Sequence, residues 1–231
     1  PVSTSIIGLA SYSYGINVRF TTPSFESISF AGYDEARQIS ATFNNQSLRR
    51  RDNYNFVGLT GDYKVSFNQS YTFRITVDGK SGTYTDTLPD TLYITSPAYN
   101  AGVPANQPVL LQWNNPRNTD FFFVFASVTQ LTAFFDSTFV TTDNRLSLPG
   151  NYFPAGTTTS IDVFAVTGLP ARVTNNSNLQ GNLDGRIYFY IRTSFFRLRG
   201  GGTAAEHITP MVANHDDVAA GKFREFIGLN E

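Results

Sequence analysis

Short runs of alternating apolar and polar residues recur along this chain roughly every 8–15 residues, each closed by Gly, Pro, Asn or Asp. A side-chain period of two puts alternate residues on opposite faces of a strand, so this rhythm excludes a helical protein and points to a sandwich or barrel. The run Tyr71-Thr72-Phe73-Arg74-Ile75-Thr76-Val77 is the clearest, with residues 71, 73, 75 and 77 on one face. Asp78-Gly79-Lys80-Ser81-Gly82 then turns the chain into Thr83-Tyr84-Thr85, with Asp-Gly supplying the positive φ of a hairpin. The first half carries further runs near 15–21, 26–31, 37–43, 54–58, 63–67 and 83–88. Leu88-Pro89-Asp90 begins a crossing to a second unit, and the joint is placed within 88–97. So short a Pro-bearing joint favours limited bending. The fold expected is all-β: two tandem sandwiches over 1–90 and 91–199, followed by a flexible tail over 200–231.

In the second half, Val109-Leu110-Leu111-Gln112-Trp113 places Val109, Leu111 and Trp113 on one face. Phe121–Ala126 follows, then Leu146-Ser147-Leu148, the turn Pro154-Ala155-Gly156-Thr157, and a strand ending Val163-Phe164-Ala165-Val166. Arg186 to Phe196 reads as the last strand. In this order and spacing, residues 97–196 resemble a fibronectin type III domain. The core Tyr usual in that family falls near Thr159 here, so the corner that it locks must be held in another way. Residues 1–90 resemble the looser immunoglobulin-like domains of bacterial surface proteins. These resemblances imply sandwich folds with spacer or adhesive roles, and they carry over no catalytic residue.

Composition narrows the chemistry. Only 15% of the 231 residues are charged, against roughly 25% in typical soluble domains. Lysine occurs only at Lys64, Lys80 and Lys222, so Ser, Thr, Asn and Gln must wet the surface, a style that fits secreted and surface proteins. The net charge is −1 and the one basic run, Arg49-Arg50-Arg51, meets Asp52 at once, so nucleic acid is not an expected partner. With no cysteine there is no disulfide, thiolate metal site or Cys nucleophile. No apolar run is long enough to span a membrane. A chain starting at Pro1 fits removal of a signal segment, or a lipid anchor just upstream of Pro1.

The two histidines, His207 and His215, miss the i, i+4 spacing of a shared metal, and no G-x-S-x-G nucleophile motif accompanies His215-Asp216-Asp217. Acids such as Asp34-Glu35, Asp52, Asp62, Asp78, Asp136 and Asp143 sit where turn chemistry places them. The oxygen-rich loop Asn175–Gly185 departs from EF-hand spacing. No cofactor or metal and no enzymatic activity are expected. Asn45, Asn68 and Asn175 head glycosylation sequons, sites for glycans in a host that adds them.

One strand breaks the usual in/out alternation of an antiparallel sandwich. Phe121, Phe123 and Phe125 take one face, while Phe122, Val124 and Ala126 take the other. The last strand repeats this, with Tyr188 and Tyr190 opposite Ile187, Phe189 and Ile191, and Phe134-Phe135 add to the apolar outer face. A patch of that size needs a cover. The first sandwich, the tail or another protein chain is expected to supply it, and the tail has a suitable segment. Ala219, Phe223, Phe226 and Ile227 fall on one stripe of a short amphipathic helix, which docks on its own domain or on a neighbouring subunit. The function expected is a non-catalytic, extracytoplasmic structural and interaction protein. It would be a subunit of a surface assembly, filament or membrane-anchored complex, associating with copies of itself or other subunits through Phe121, Phe123, Phe125, Phe134, Phe135, Tyr188, Tyr190 and the tail. A ligand-binding module is the alternative, with Tyr12, Tyr14, Tyr33, Tyr54 and Tyr63 stacking on carbohydrate.

Overall fold

A computed structural model describes residues 3–10, 14–21, 24–31, 38–50, 55–58, 68–129, 134–167, 179–183, 185–193, 196–201 and 222. For the strands before residue 32, and at 39, 48–50, 55–58, 77, 129, 134 and 185–192, only the strand placement is described. The chain is predominantly β, as the turn rhythm implies. The first part holds β1 (Ser3–Ala10), β2 (Tyr14–Thr21), β3 (Ser24–Ala31), β4 (Ile39–Phe43), β5 (Gln46–Arg50), β6 (Asn55–Gly58), β7 (Ser70–Val77) and β8 (Lys80–Thr87).

Two tight hairpins organise the best-defined part of this half. β7 and β8 meet through Asp78-Gly79, both at positive φ, with Val77 opposite Lys80. The turn is therefore two residues long, and β8 begins at Lys80 rather than near Thr83. The second hairpin joins β4 to β5 through Asn44-Asn45, again both at positive φ, with Phe43 opposite Gln46. β4, β7 and β8 lie side by side, with Tyr71, Phe73, Ile75 and Tyr84 buried on one face. Phe43 stacks on Tyr71 at 5.2 Å. The strand expected near 63–67 lies outside the described residues.

The second part holds β9 (Ile94–Ser96), β10 (Gly102–Val103), β11 (Val109–Trp113), β12 (Phe121–Thr129), β13 (Phe134–Thr141), β14 (Arg145–Leu148), a 3-10 turn at Gly150–Tyr152, β15 (Thr158–Thr167), β16 (Gln180–Gly181), β17 (Gly185–Arg192) and β18 (Phe196–Gly200). One small sheet has the order β14-β11-β9. Facing strands run β13-β12-β15, and β15 then pairs with β17 near its C-terminal end and with β18 near its start. The strand expected over Arg186–Phe196 is thus two strands. Between them Thr193 bonds back to β15: its N–H donates to the Val163 carbonyl (2.9 Å), and its Oγ1 accepts from the Val163 N–H (3.0 Å).

Between the two sheets sit Val109, Leu111, Trp113, Phe122, Val124, Ala126, Val128, Leu148, Ile161, Val163 and Ala165, all buried in one apolar cluster. Trp113 meets Phe122 edge-on at 5.2 Å. Thr159, at the start of β15, ties that strand to the 3-10 turn. Its hydroxyl, fully buried, donates to the Tyr152 carbonyl, and the Tyr152 ring packs on Phe135 at 4.6 Å.

The two halves are joined by more than one covalent segment. The same apolar cluster includes Phe43, Phe73 and Tyr84 of the first half and Leu88 and Leu92 of the joint. β1 pairs with β17 over Ser3–Ala10, and β8 pairs with β16 at Gly82 and Thr83. At the joint Asn114 grips the crossing chain, its Oδ1 accepting from the Tyr93 N–H (2.7 Å) and its Nδ2 donating to the Thr91 carbonyl (2.6 Å). Arg117 pairs with Asp90 at 3.1 Å, and Asn118 Nδ2 donates to Asn68 Oδ1 at 2.9 Å. Backbone ladders and a common core therefore cross the division between 1–90 and 91–199.

Candidate functional site

The aromatic strand expected to form the outer surface is β12. Its two faces separate as the alternation implies, with Phe122, Val124 and Ala126 in the inter-sheet core. Phe121, Phe123 and Phe125 take the opposite face, where register places them beside Val166, Phe164 and Asp162 of β15. Phe123 and Phe164 make an edge-to-face pair at 5.4 Å. These side chains are at most 2% exposed. The sequence calls for a cover over this face, and the chain itself supplies one. The face is not an open docking surface.

The remaining expected contact residues fall in different places. Phe135 is half-buried against Tyr152, on the core side of β13. Phe134 begins β13 opposite Thr129. Tyr188 and Tyr190 lie on β17 opposite Ile7 and Ser5, and Tyr190 is also opposite Val166, so their strand is flanked on both sides. Phe223, Phe226 and Ile227, with the whole helical stripe, lie outside the described residues, as do Tyr12, Tyr33, Tyr54, Tyr63 and the sequon at Asn175. Tyr14 begins β2.

The oxygen-rich loop has structural duties where it is described. Gln180 and Gly181 pair with β8, Asn182 Oδ1 accepts from the Ser81 N–H at 2.7 Å, and Leu183 is buried. Asp78 Oδ1 accepts from the Gln38 N–H at 3.2 Å beside the β7–β8 turn. Tyr84 donates to Asp86 at 2.5 Å; burial, then this bond and the Asp86 charge, push its hydroxyl well above the usual tyrosine range. Tyr84 is thus a neutral, anchored core residue rather than an acid or base.

Two surface features escaped the sequence reading. The first is the outer edge of β13. Among the described residues β13, eight residues long, pairs with β12 alone, and its other edge has no partner there. Thr138 and Val140 are exposed, Val140 to 45%. Protein edges are ordinarily guarded by Lys, Pro or a bulge, yet Phe134–Thr141 carries one charge, Asp136, and pairs without a register break. The second is a polar groove on the face of β4 and β7 opposite the core, lined by Ser40, Thr42, Asn45, Arg74 and Thr76. No protein-family model and no curated protein matches the chain.

Proposed function

We propose that this chain is a non-catalytic, extracytoplasmic structural and interaction protein, a subunit of a surface assembly built from immunoglobulin-like sandwiches. The reading of the second half as fibronectin type III-like is supported by its strand order. β9, β11 and β14 make one sheet, β13, β12, β15 and β18 make the other, and Trp113 lies between them. The low charge and the Ser, Thr and Asn surface support an extracytoplasmic setting. Chemistry-bearing residues are sparse: both histidines fall in the 200–231 tail, and there is no cysteine.

The observation that carries the association reading is the unguarded edge of β13. An eight-residue strand with no described partner along one edge, and with Thr138 and Val140 exposed, is a template for strand addition by another subunit. This moves the contact from the Phe121–Phe125 face, which the chain closes for itself, to the neighbouring edge of the same sheet. Sedimentation of the full chain should show association at micromolar concentration, lost in the double variant Thr138→Lys/Val140→Lys with its thermal stability retained. Association that survives both lysines would remove β13 as the contact. A chain that stays monomeric, alone and with extracts of its native surface, would remove the assembly reading.

A further inference from the structure

The face of β4, β7 and β8 that points away from the core is made almost wholly of hydroxyls around one cation. Arg74 sits in the middle strand, opposite Thr42 on one side and Thr83 on the other. Ser40 is opposite Thr76, and the Asn44-Asn45 hairpin closes one end, so five side chains line a groove of about 280 Å³. Among the described residues no carboxylate pairs with Arg74. Its one hydrogen bond goes from Nη2 to Ser81 Oγ at 3.4 Å, and Ser81 is itself bonded to Thr76 Oγ1 at 2.7 Å. Ser81 thus steadies the guanidinium while leaving most of its donors free.

We propose that this groove binds one acidic sugar unit of a polysaccharide, a ring carrying a carboxylate or a sulfate. The volume sits just under the range of small-molecule sites, about 300–1,000 Å³, which suits a single ring rather than a large cofactor. A planar guanidinium can take an oxyanion through two parallel hydrogen bonds. A bare phosphate or sulfate is more often held by several cations or a nest of backbone N–H groups. Here a single cation is surrounded by neutral hydroxyls and an amide, each able to donate and accept. That set matches a ligand with one negative charge and several hydroxyls. No aromatic ring lines the groove, so a single site binds weakly, in the millimolar range.

The groove uses no residue of β13, so its occupancy is independent of whether that edge recruits another subunit. The test is titration of the full chain, followed by NMR, with oligomers of galacturonic acid, with the matching neutral galactose oligomers, and with inorganic sulfate. The acidic oligomer should perturb Ser40–Asn45 and Arg74–Ser81 and bind about tenfold more tightly than the neutral one. Added salt should weaken it. Arg74→Gln should lose about tenfold, and Arg74→Lys should fall between, because it keeps the charge but not the fork. Arg74 is exposed, so both variants should melt as the parent does; Ser40→Ala, also exposed and in extended backbone, is a further variant expected to weaken binding several-fold. Equal binding of the neutral oligomer, sulfate binding as tightly as the sugar, or an Arg74→Gln variant with unchanged affinity would each overturn the assignment.

Discussion

At Asn44, Asn45, Asn68, Asn100, Asn106 and Asn118 the backbone takes a positive φ, and among the described residues Asp78 is the one other non-glycine residue that does. Asn tolerates this region because its short amide bonds locally to the backbone. Part of the richness in Asn, which composition alone reads as surface polarity, is therefore turn geometry. Replacing Asn45 by Gly should stabilise the β4–β5 hairpin by about 0.5–1 kcal/mol, read as a raised urea midpoint. Gly200 is constrained in another way. A Cβ there would lie 2.1 Å from the Pro154 carbonyl oxygen, because the Pro-Ala-Gly-Thr turn folds directly over the end of β18. Gly200→Ala should cost at least about 2 kcal/mol. Gly156→Ala, where φ is +73° but nothing stands within 4 Å, should cost about 1 kcal/mol, so the order of the two urea midpoints checks the crowding directly. Asp90 titrates below the usual carboxylate range, held first by the Thr91 N–H and then by Arg117. Its folded-state value is depressed, so its contribution is present above the ordinary carboxylate range and is lost as pH falls through the depressed value. Both partners are solvent-screened, so Asp90→Asn should cost at most about 1 kcal/mol at neutral pH, and the difference from the parent should vanish in acid.

β12 is the element whose role the structure changes most. Two-sided apolar strands occur where both faces are covered, and here both are. If Phe123 lined an open docking face, Phe123→Ala would leave stability nearly unchanged and abolish association. Its burial beside Phe164 predicts instead a loss of about 3–5 kcal/mol in the monomer, measurable by denaturant unfolding at concentrations too low for association. β13 shows the reverse. In the sequence Leu131–Phe135 reads as a loop, whereas Phe134–Thr141 forms a strand with Phe135 and Phe139 turned to the core. Only pairing reveals that one of its edges is unoccupied among the described residues. The break between β17 and β18 was also hidden in the sequence, because the run from Arg186 to Phe196 has no Gly or Pro to announce it.

Across the whole molecule, the joint at 88–97 behaves as part of a core rather than as a linker. Leu88 and Leu92 are buried in the cluster that contains Phe73 from one side and Trp113 from the other. The Asp90–Arg117, Asn114–Tyr93 and Asn118–Asn68 contacts hold the crossing at its surface. The two halves should therefore unfold together. Trp113, the single tryptophan, reports on the second half, and the buried Tyr71 and Tyr84 report on the first. Coincident transitions by tryptophan fluorescence and by near-ultraviolet tyrosine dichroism are expected, with both moved down together by Leu92→Ala, which should cost about 2–5 kcal/mol. Two separated transitions would show that the halves are energetically independent.

What the sequence alone determined is what depends on neighbours along the chain. Residues 71, 73 and 75 face inward because strand geometry alternates, Asp78-Gly79 turns because those residues accept positive φ, and Trp113 lies inward by the same parity as Leu111. These are local consequences of backbone sterics and need no knowledge of the partner strand. Tertiary structure decided everything that depends on which strands lie side by side. Parity says that Phe123 and Phe125 share a face but not whether that face is covered. It marks Thr72, Arg74 and Thr76 as outward but cannot bring Ser40 and Thr42 beside them to make a groove. It gives β13 its two faces but is silent about its two edges, because an edge is defined only by the strand that does or does not pair with it.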